Sequence, residues 1–361
     1  MRGIVFNLRE LSGSFADLGI IIPIVVGVVA VSDMRLSPIL LFFGIGYIVV
    51  GFYFRLPIPV QPMKVIGAVA ISNSLSRGEI AVAGIFVGVI FLILGYTKTL
   101  GRLGKKIPMC IIRGIQMGVG IMLVMKGGEA VFSDIYIGLL SGAIILFFIF
   151  IRRDWISIIL ILFLGLAYGI YAKGIPDIAF NPIMDLVPVE PEMNEVITGL
   201  SVAVSQIPMT LMNSVLVVSV LVTDLFKRSV EPEKFSRSVG FLNLLTVPFG
   251  ALPMCHGSGG LAAHYRFGSR TGGSNLVIGG VLIAISLTSS QELLQVLPSG
   301  TLGILLIFSG FELARFVNDS DSIPITLIVG VISVLVNVAI GLLLGVAVYY
   351  LLKKFRRTGS P

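Results

Sequence analysis

Apolar residues in this chain come in runs, not in alternation, and the runs are broken by glycine, proline or short charged clusters. A long apolar run bounded by such breaks reads as a buried helix, and about 20 mostly apolar residues cross a bilayer. The pattern predicts segments at 12–31, 37–54, 58–75, 79–96, 107–125, 135–151 and 155–172. A Pro-rich acidic stretch, 173–195, follows with Asp177, Asp185, Glu190, Glu192 and Glu195. Further segments are predicted at 196–223, 236–249, 252–267, 274–289 and 298–317, and 323–352 reads as two short spans or one hairpin. The fold class is therefore an all-α polytopic membrane protein of about fourteen transmembrane segments. Three regions follow: residues 1–172, an acidic loop at 173–195, and 196–361.

Composition removes the soluble alternative. Of 361 residues 56% are hydrophobic and 12% charged, against about 25% charged in a soluble domain. The net charge of +7 does not point to nucleic acid, since no basic run is interleaved with aromatics. It follows the membrane rule that basic residues gather in cytoplasmic loops. With the N-terminus inside, alternate counting puts Arg2, Arg9, Arg55, Lys98, Arg102, Lys105, Lys106, Arg152, Arg153, Lys227, Arg228, Lys234, Arg237, Arg266, Arg270 and the basic tail in the cytoplasm. The outside receives Arg35, Arg77, Lys126, Lys173 and the acidic loop. A multi-pass protein of the cell membrane with both termini cytoplasmic is the expectation. The start MRGIVFNLRE has no cleavable-signal pattern. Cys110 and Cys255 give neither metal spacing nor a disulfide framework.

Two segments are not ordinary spans. The third opens LPIPVQPMK, with Pro57, Pro59 and Pro62. Proline removes a backbone donor and disfavours helix before it, so 57–61 should be extended, with a helix from Pro62 or Met63. The tenth opens VPFGALPMCHGSGG, and a helix should start near His256–Ser258. Irregular backbone at membrane depth persists only where protein or a water-filled cavity surrounds it. Short, Gly/Pro-broken segments at matching places in two halves mark a transporter's binding site. Here each is the third segment of its half, which predicts a 7+7 inverted repeat with half-helices in segments 3 and 10. Two facing helix N-termini offer unpaired N–H groups and positive dipole ends, an anion site without many charges. Gly257, Gly259 and Gly260 would let a ligand approach the backbone, Ser258 adds a hydroxyl, and Lys64 adds a cation. The bland alternative makes these breaks mere kinks and Lys64 a snorkelling side chain.

ELSGSFADLGIIIPIV (10–25), PVQPMK (59–64) and PMCHGSGGLAAHYRFGSRTGGS (253–274) resemble the signature stretches of the molybdate transporter family, a branch related to the SulP sulfate permeases. PMCIIRGIQMGVG, VSQIPMTLMNSVLV and LLIFSGFELA fit as well, so the resemblance spans nearly the whole chain. It implies fourteen segments in a seven-plus-seven inverted repeat, with a core domain holding the site between segments three and ten, and a gate domain working against it. The larger SulP proteins add a cytoplasmic STAS domain. No STAS domain is expected here, since the chain stops at Pro361, just after the last span. The implied activity is secondary transport of molybdate, with tungstate also accepted, and the implied assembly is a homodimer. Sulfate, a nucleobase, an anion channel or a non-transporting sensor are the rival readings. An enzyme is weakest, without a paired nucleophile and base or a metal constellation.

The candidate substrate-binding residues are Gln61, Pro62, Met63, Lys64, His256, Gly257, Ser258, Gly259, Gln206 and Gln116. Backbone N–H groups near Met63–Lys64 and Gly257–Gly259 would do most of the binding. Gln206 can donate to an oxyanion or serve as glue between helices. Gln116, one turn beyond Arg113, divides equally between these roles. Asp17, read as lying inside the first segment, and Glu312 are candidates for a coupling proton or cation. Asp17 could instead hold Lys64 or a half-helix start, or sit at the cytoplasmic edge. Glu312 could simply pair with Arg315 at i+3. His256 is placed to touch substrate or titrate, and His264, two turns on, reads as structural. No metal or cofactor is expected.

Overall fold

The computed structural model describes residues 4–15, 17–104, 107–150, 154–175, 186, 188–288 and 296–358. Asp177, Asp185, Lys105, Lys106, Arg2, Arg152 and Arg153 lie outside the described residues. The first half runs α1 (Leu8–Ser14), α2 (Leu18–Val31), α3 (Leu36–Phe54), β1 (Gln61–Pro62), α4 (Lys64–Asn73), α5 (Arg77–Tyr96), α6 (Leu100–Gly104), α7 (Met109–Ser133), α8 (Ile135–Phe150) and α9 (Asp154–Lys173). The second runs α10 (Met193–Met209), a π-helical turn (Thr210–Leu216), α11 (Val217–Phe226), α12 (Pro232–Thr246), β2 (Met254–Cys255), α13 (Ser258–Arg266), α14 (Gly273–Ser286), α15 (Ser299–Ala314), α16 (Ile323–Leu335) and α17 (Val338–Thr358). Among the described residues five stretches are long and apolar enough to cross a membrane: α3, α5, α7, the run Met193–Phe226, and Ser299–Asp319. Shorter apolar helices accompany them.

The first predicted segment departs from expectation. It is not one helix over 12–31: α1 closes at Ser14, and Asp17 is the N-cap of α2. Asp17 makes no cap hydrogen bond to its own helix, so its carboxylate is left for other partners. The last two predicted spans resolve into α16 and α17, packed on each other after a break at Val336–Asn337. Pro208 and the π-helical turn after it, a feature common at functional sites, interrupt the run from Met193 to Phe226.

Helices meet along glycine seams. On α7 and α15 a Cβ on Gly120 would meet the Gly310 carbonyl, and one on Gly127 the Gly303 carbonyl, each at 2.5 Å; the reciprocal contacts are equally close. On α3 and α14, Gly44 faces Gly279 at 2.7 Å both ways. Small residues let backbones approach where lipid gives no hydrophobic drive to associate. α5 packs on α12 with Gly88 against the side chains of Asn243 and Leu244 and Gly240 against Leu92. Buried among these helices is a two-stranded antiparallel ladder, Gln61 opposite Cys255 and Pro62 opposite Met254.

Candidate anion site

The backbone pairing of the ladder is short and Pro62 has no N–H to give to it, so side chains add to the bonds that hold it. Asn243 of α12 donates to the Met254 carbonyl at 2.7 Å, and its Oδ1 accepts from the Met254 N–H at 2.8 Å. Asn275 of α14 donates to the Ile58 carbonyl at 2.7 Å. The Met63 N–H donates to the Pro253 carbonyl at 2.8 Å. These bonds replace the helix bonds that a broken span lacks, and they bring the starts of α4 and α13 together.

The two starts are not equivalent. On α4, Gln206 Oε1 accepts from the Val65 and Ile66 N–H groups at 2.9 and 3.3 Å, and its Nε2 donates to Thr210 Oγ1 at 2.8 Å. With Met63 bonded to Pro253, this helix start is largely engaged by protein, contrary to the expectation that its amides face a ligand. On α13 no side chain caps the start, and Gly257 serves as N-cap. The N–H groups of Ser258, Gly259 and Gly260 lie before the first intrahelical bond, from the Leu261 N–H to the Gly257 carbonyl. Gly259 is exposed, with no atom within 4 Å of where a Cβ would stand. Ser258 is half-buried and its Oγ donates to Oδ1 of Asn213, from the π-helical turn. Lys64 is half-buried and makes no hydrogen bond or ion pair among the described residues. The charges that act on it are Asp17, Glu312 and Arg315. An open helix start, paired through the ladder with a half-helix that begins at an unpaired lysine, is an arrangement suited to anions.

Behind this opening lies a buried polar cluster. Asp17 Oδ2 accepts from Tyr47 Oη at 2.6 Å, and Asp17 Oδ1 accepts from Gln61 Nε2. Gln61 presses against Gly257 and Gly260, and a Cβ at either would collide with its amide. Gln61 is thus fully buried behind the helix start, and Pro62 and Met63 belong to the ladder and its cap.

Other expected contacts sit elsewhere. His256 is fully buried, with Nδ1 donating to the Pro59 carbonyl at 2.8 Å and Nε2 accepting from Ser238 Oγ at 3.0 Å. Both ring nitrogens are engaged, so it braces the extended stretch rather than reaching toward a ligand. The Gln116 oxygen accepts from Arg113 at 2.9 Å, and no hydrogen bond among the described residues ties it to α4 or α13. Glu312 accepts from Arg315 at 2.7 Å, the i+3 pair weighed above. Tyr47, Asn213, Thr210 and Asn243 escaped the sequence reading. Each is a polar group in an apolar run, the signal that could have found them. Among the described residues no three His, Cys, Asp or Glu gather for a metal.

The fold is shared with solved multi-pass membrane proteins named as transporters. Its TM-score to the transmembrane domain of a cyanobacterial bicarbonate transporter, BicA, is 0.68, at 20% identity over 93% of this chain and 97% of that one. Against murine SLC26A9 in the inward-facing state it is 0.73, at 14% identity over 99% and 70%. The family model described as "Molybdate transporter of MFS superfamily" matches residues 9–123 and 198–313, more than half of the sequence. The chain belongs to the molybdate transporter family. It is 32% identical to Molybdate transporter 2 of Arabidopsis thaliana over 95% of this chain and 87% of that protein. It is 26% identical to Molybdate transporter 1 of Chlamydomonas reinhardtii over 87% and 84%.

Proposed function

We propose that this protein is a secondary active transporter of molybdate, and of tungstate, that works by alternating access in the cell membrane with both termini cytoplasmic. The observation that carries the reading is the uncapped start of α13, Ser258 to Gly260, open at Gly259, with the unpaired Lys64 at the start of the half-helix whose strand pairs with its own. The names of its relatives supply the substrate. Asp17 and Glu312 are the candidates for a coupling proton or cation, and the working unit is a homodimer.

The topology proposed is fourteen segments in two inverted halves, 1–172 and 196–361, joined by an extracellular loop at 173–195. The three most extensive helix contacts support it, because exchanging the halves leaves that set unchanged. The α3–α14 contact becomes α12–α5, the α7–α15 contact maps onto itself, and so does the β1–β2 ladder. The family model also matches one stretch of near-equal length in each half.

Sulfate is the second reading, since backbone amides and a hydroxyl recognise any tetrahedral oxyanion. Calorimetry on the purified protein separates the two. Molybdate binding that excess sulfate leaves in place is expected, and Ser258→Trp should abolish it without lowering the melting temperature. Equal competition by sulfate would make the protein a broader oxyanion carrier. Undiminished binding by the tryptophan variant would remove α13 as the site.

A further inference from the structure

His264 lies on α13, behind the open start, and the binding reading leaves it unused. It is fully buried, and neither ring nitrogen has a hydrogen-bond partner. Its Nε2 stands 3.9 Å from Asp17 Oδ2, and Asp17 is equally buried. A neutral imidazole still carries one N–H, and buried polar groups without partners are few in folded proteins.

Asp17 is placed to matter to an anion. A Cβ on Gly260 would run into its Oδ1 and into Gln61 Nε2. The carboxylate thus backs directly on the amides open to the ligand, and it opposes a negative guest. A proton arriving on the neighbouring ring would offset that opposition. The approach between the two groups leaves room for a closer, charge-assisted bond once the ring is an imidazolium.

We propose that Asp17 and His264 together form the binding site of the coupling proton, and that the proton raises the affinity of the α13 start for a tetrahedral dianion. The proposal rests on the transport reading above. The proton passes from solvent to a ring nitrogen of His264, no other bond is made or broken, and the dianion and proton then cross together with a net charge of −1. Gln61, bonded to Asp17 and lying against Gly257 and Gly260, links the two sites mechanically. The other ionisable groups around the pair are accounted for. Tyr47 on α3 donates to Asp17, while Lys64 on α4 and Cys255 on β2 lie within electrostatic reach of one another and of Asp17. On α1, buried Glu10 accepts from the Arg270 and Thr271 amides, and Arg9 is exposed. Asp224 on α11 is exposed. Arg270 covers the ring of Tyr265, 3.7 Å from its centre.

Molybdate titrations in two buffers of different ionisation enthalpy, at one pH, count the protons taken up on binding. The parent protein should take up a proton, and its affinity should fall by up to about tenfold per unit as pH rises through the coupling range. His264→Gln, which touches none of the open amides, should bind molybdate with the buffer dependence gone. Asp17→Asn should lose the proton uptake as well, and gives a second test should the first variant fold poorly. Heats from the parent protein that do not depend on buffer, or proton uptake retained by both variants, would overturn the proposal while leaving the transport reading in place. No molybdate binding by the parent protein at any pH would take down both.

Discussion

Gln206 separates the scaffold from the site. It is 1% exposed, and its side-chain oxygen accepts from two amides at the start of α4. Gln206→Ala leaves both without an acceptor, and α4 has no other side-chain cap. Losing an N-cap costs about 0.5–2 kcal/mol and an orphaned buried donor about 1–3 kcal/mol. A loss of about 2–4 kcal/mol is the expectation. Gln206→Glu keeps the shape and the accepting oxygen, and a negative charge at a helix start is favourable by about 0.3–1 kcal/mol. The same charge, however, now stands beside the proposed dianion. At an effective dielectric of about 20, a unit charge and a dianion repel by about 3–8 kcal/mol over separations of about 4–10 Å. Even the lower of these is more than about a hundredfold in Kd. Thermal melting in detergent and calorimetry with molybdate read the two effects separately. The alanine variant should melt clearly below the parent, while the glutamate variant should melt near it and bind molybdate at least about a hundredfold more weakly. Parent-like affinity in the glutamate variant would place the anion away from α4. A glutamate variant that melts as low as the alanine variant would refute the capping role.

Two glycines two residues apart should respond in opposite ways. Gly257→Ala drives a Cβ into the buried Gln61 amide and should cost the folded protein, which expression and melting would show. Gly259→Ala meets no atom within 4 Å, so it should fold as the parent does and weaken molybdate binding about tenfold, or roughly 1.4 kcal/mol, by filling the open face. Asn243→Ala removes the bonds to both polar groups of Met254 and should destabilise by about 2–4 kcal/mol. Saturating molybdate should recover part of that loss in the melting temperature.

The sequence made the breaks legible because proline and glycine act locally. Pro57, Pro59 and Pro62 forbid helix wherever the chain is placed, and the helices begin at Lys64 and Ser258, close to where that rule puts them. Segment positions were legible for a similar reason: apolar length is a property of the run itself. What stayed hidden is set by partners distant in sequence. Nothing in PVQPMK says that Gln61 turns to Asp17, 44 positions away, or that Gln206 covers α4 from 141 positions away. The break before Asp17 was missed because no proline marks it, and Ser12, Gly13 and Ser14 ahead of it are small enough to be read as part of the helix. His256 was misplaced because a histidine beside a half-helix start looks like a ligand contact until its two partners, Pro59 and Ser238, are known.

The glycine seams bear on how such a molecule could move. α7 with α15, and α3 with α14, touch backbone to backbone, and sliding either pair by one residue would drive a side chain into a carbonyl. Each pair therefore moves as a unit. The helices that carry the site meet the α7–α15 pair differently. Gly27 of α2 faces the side chain of Leu306 on α15, and a small cavity of about 50 Å³ lies among Val69, Asn73, Met122, Ser205, Ser333 and Asn337, between α4, α7, α10 and the break before α17. Contacts made by side-chain tips across a partly empty boundary can exchange for others at little cost, whereas interlocked backbones cannot. If one unit rocks against another in transport, the boundary beside α4 and α10 is where it would slip. Both starts of the half-helix pair would travel together on one side of it, because the β1–β2 ladder and Asn243 tie them to each other.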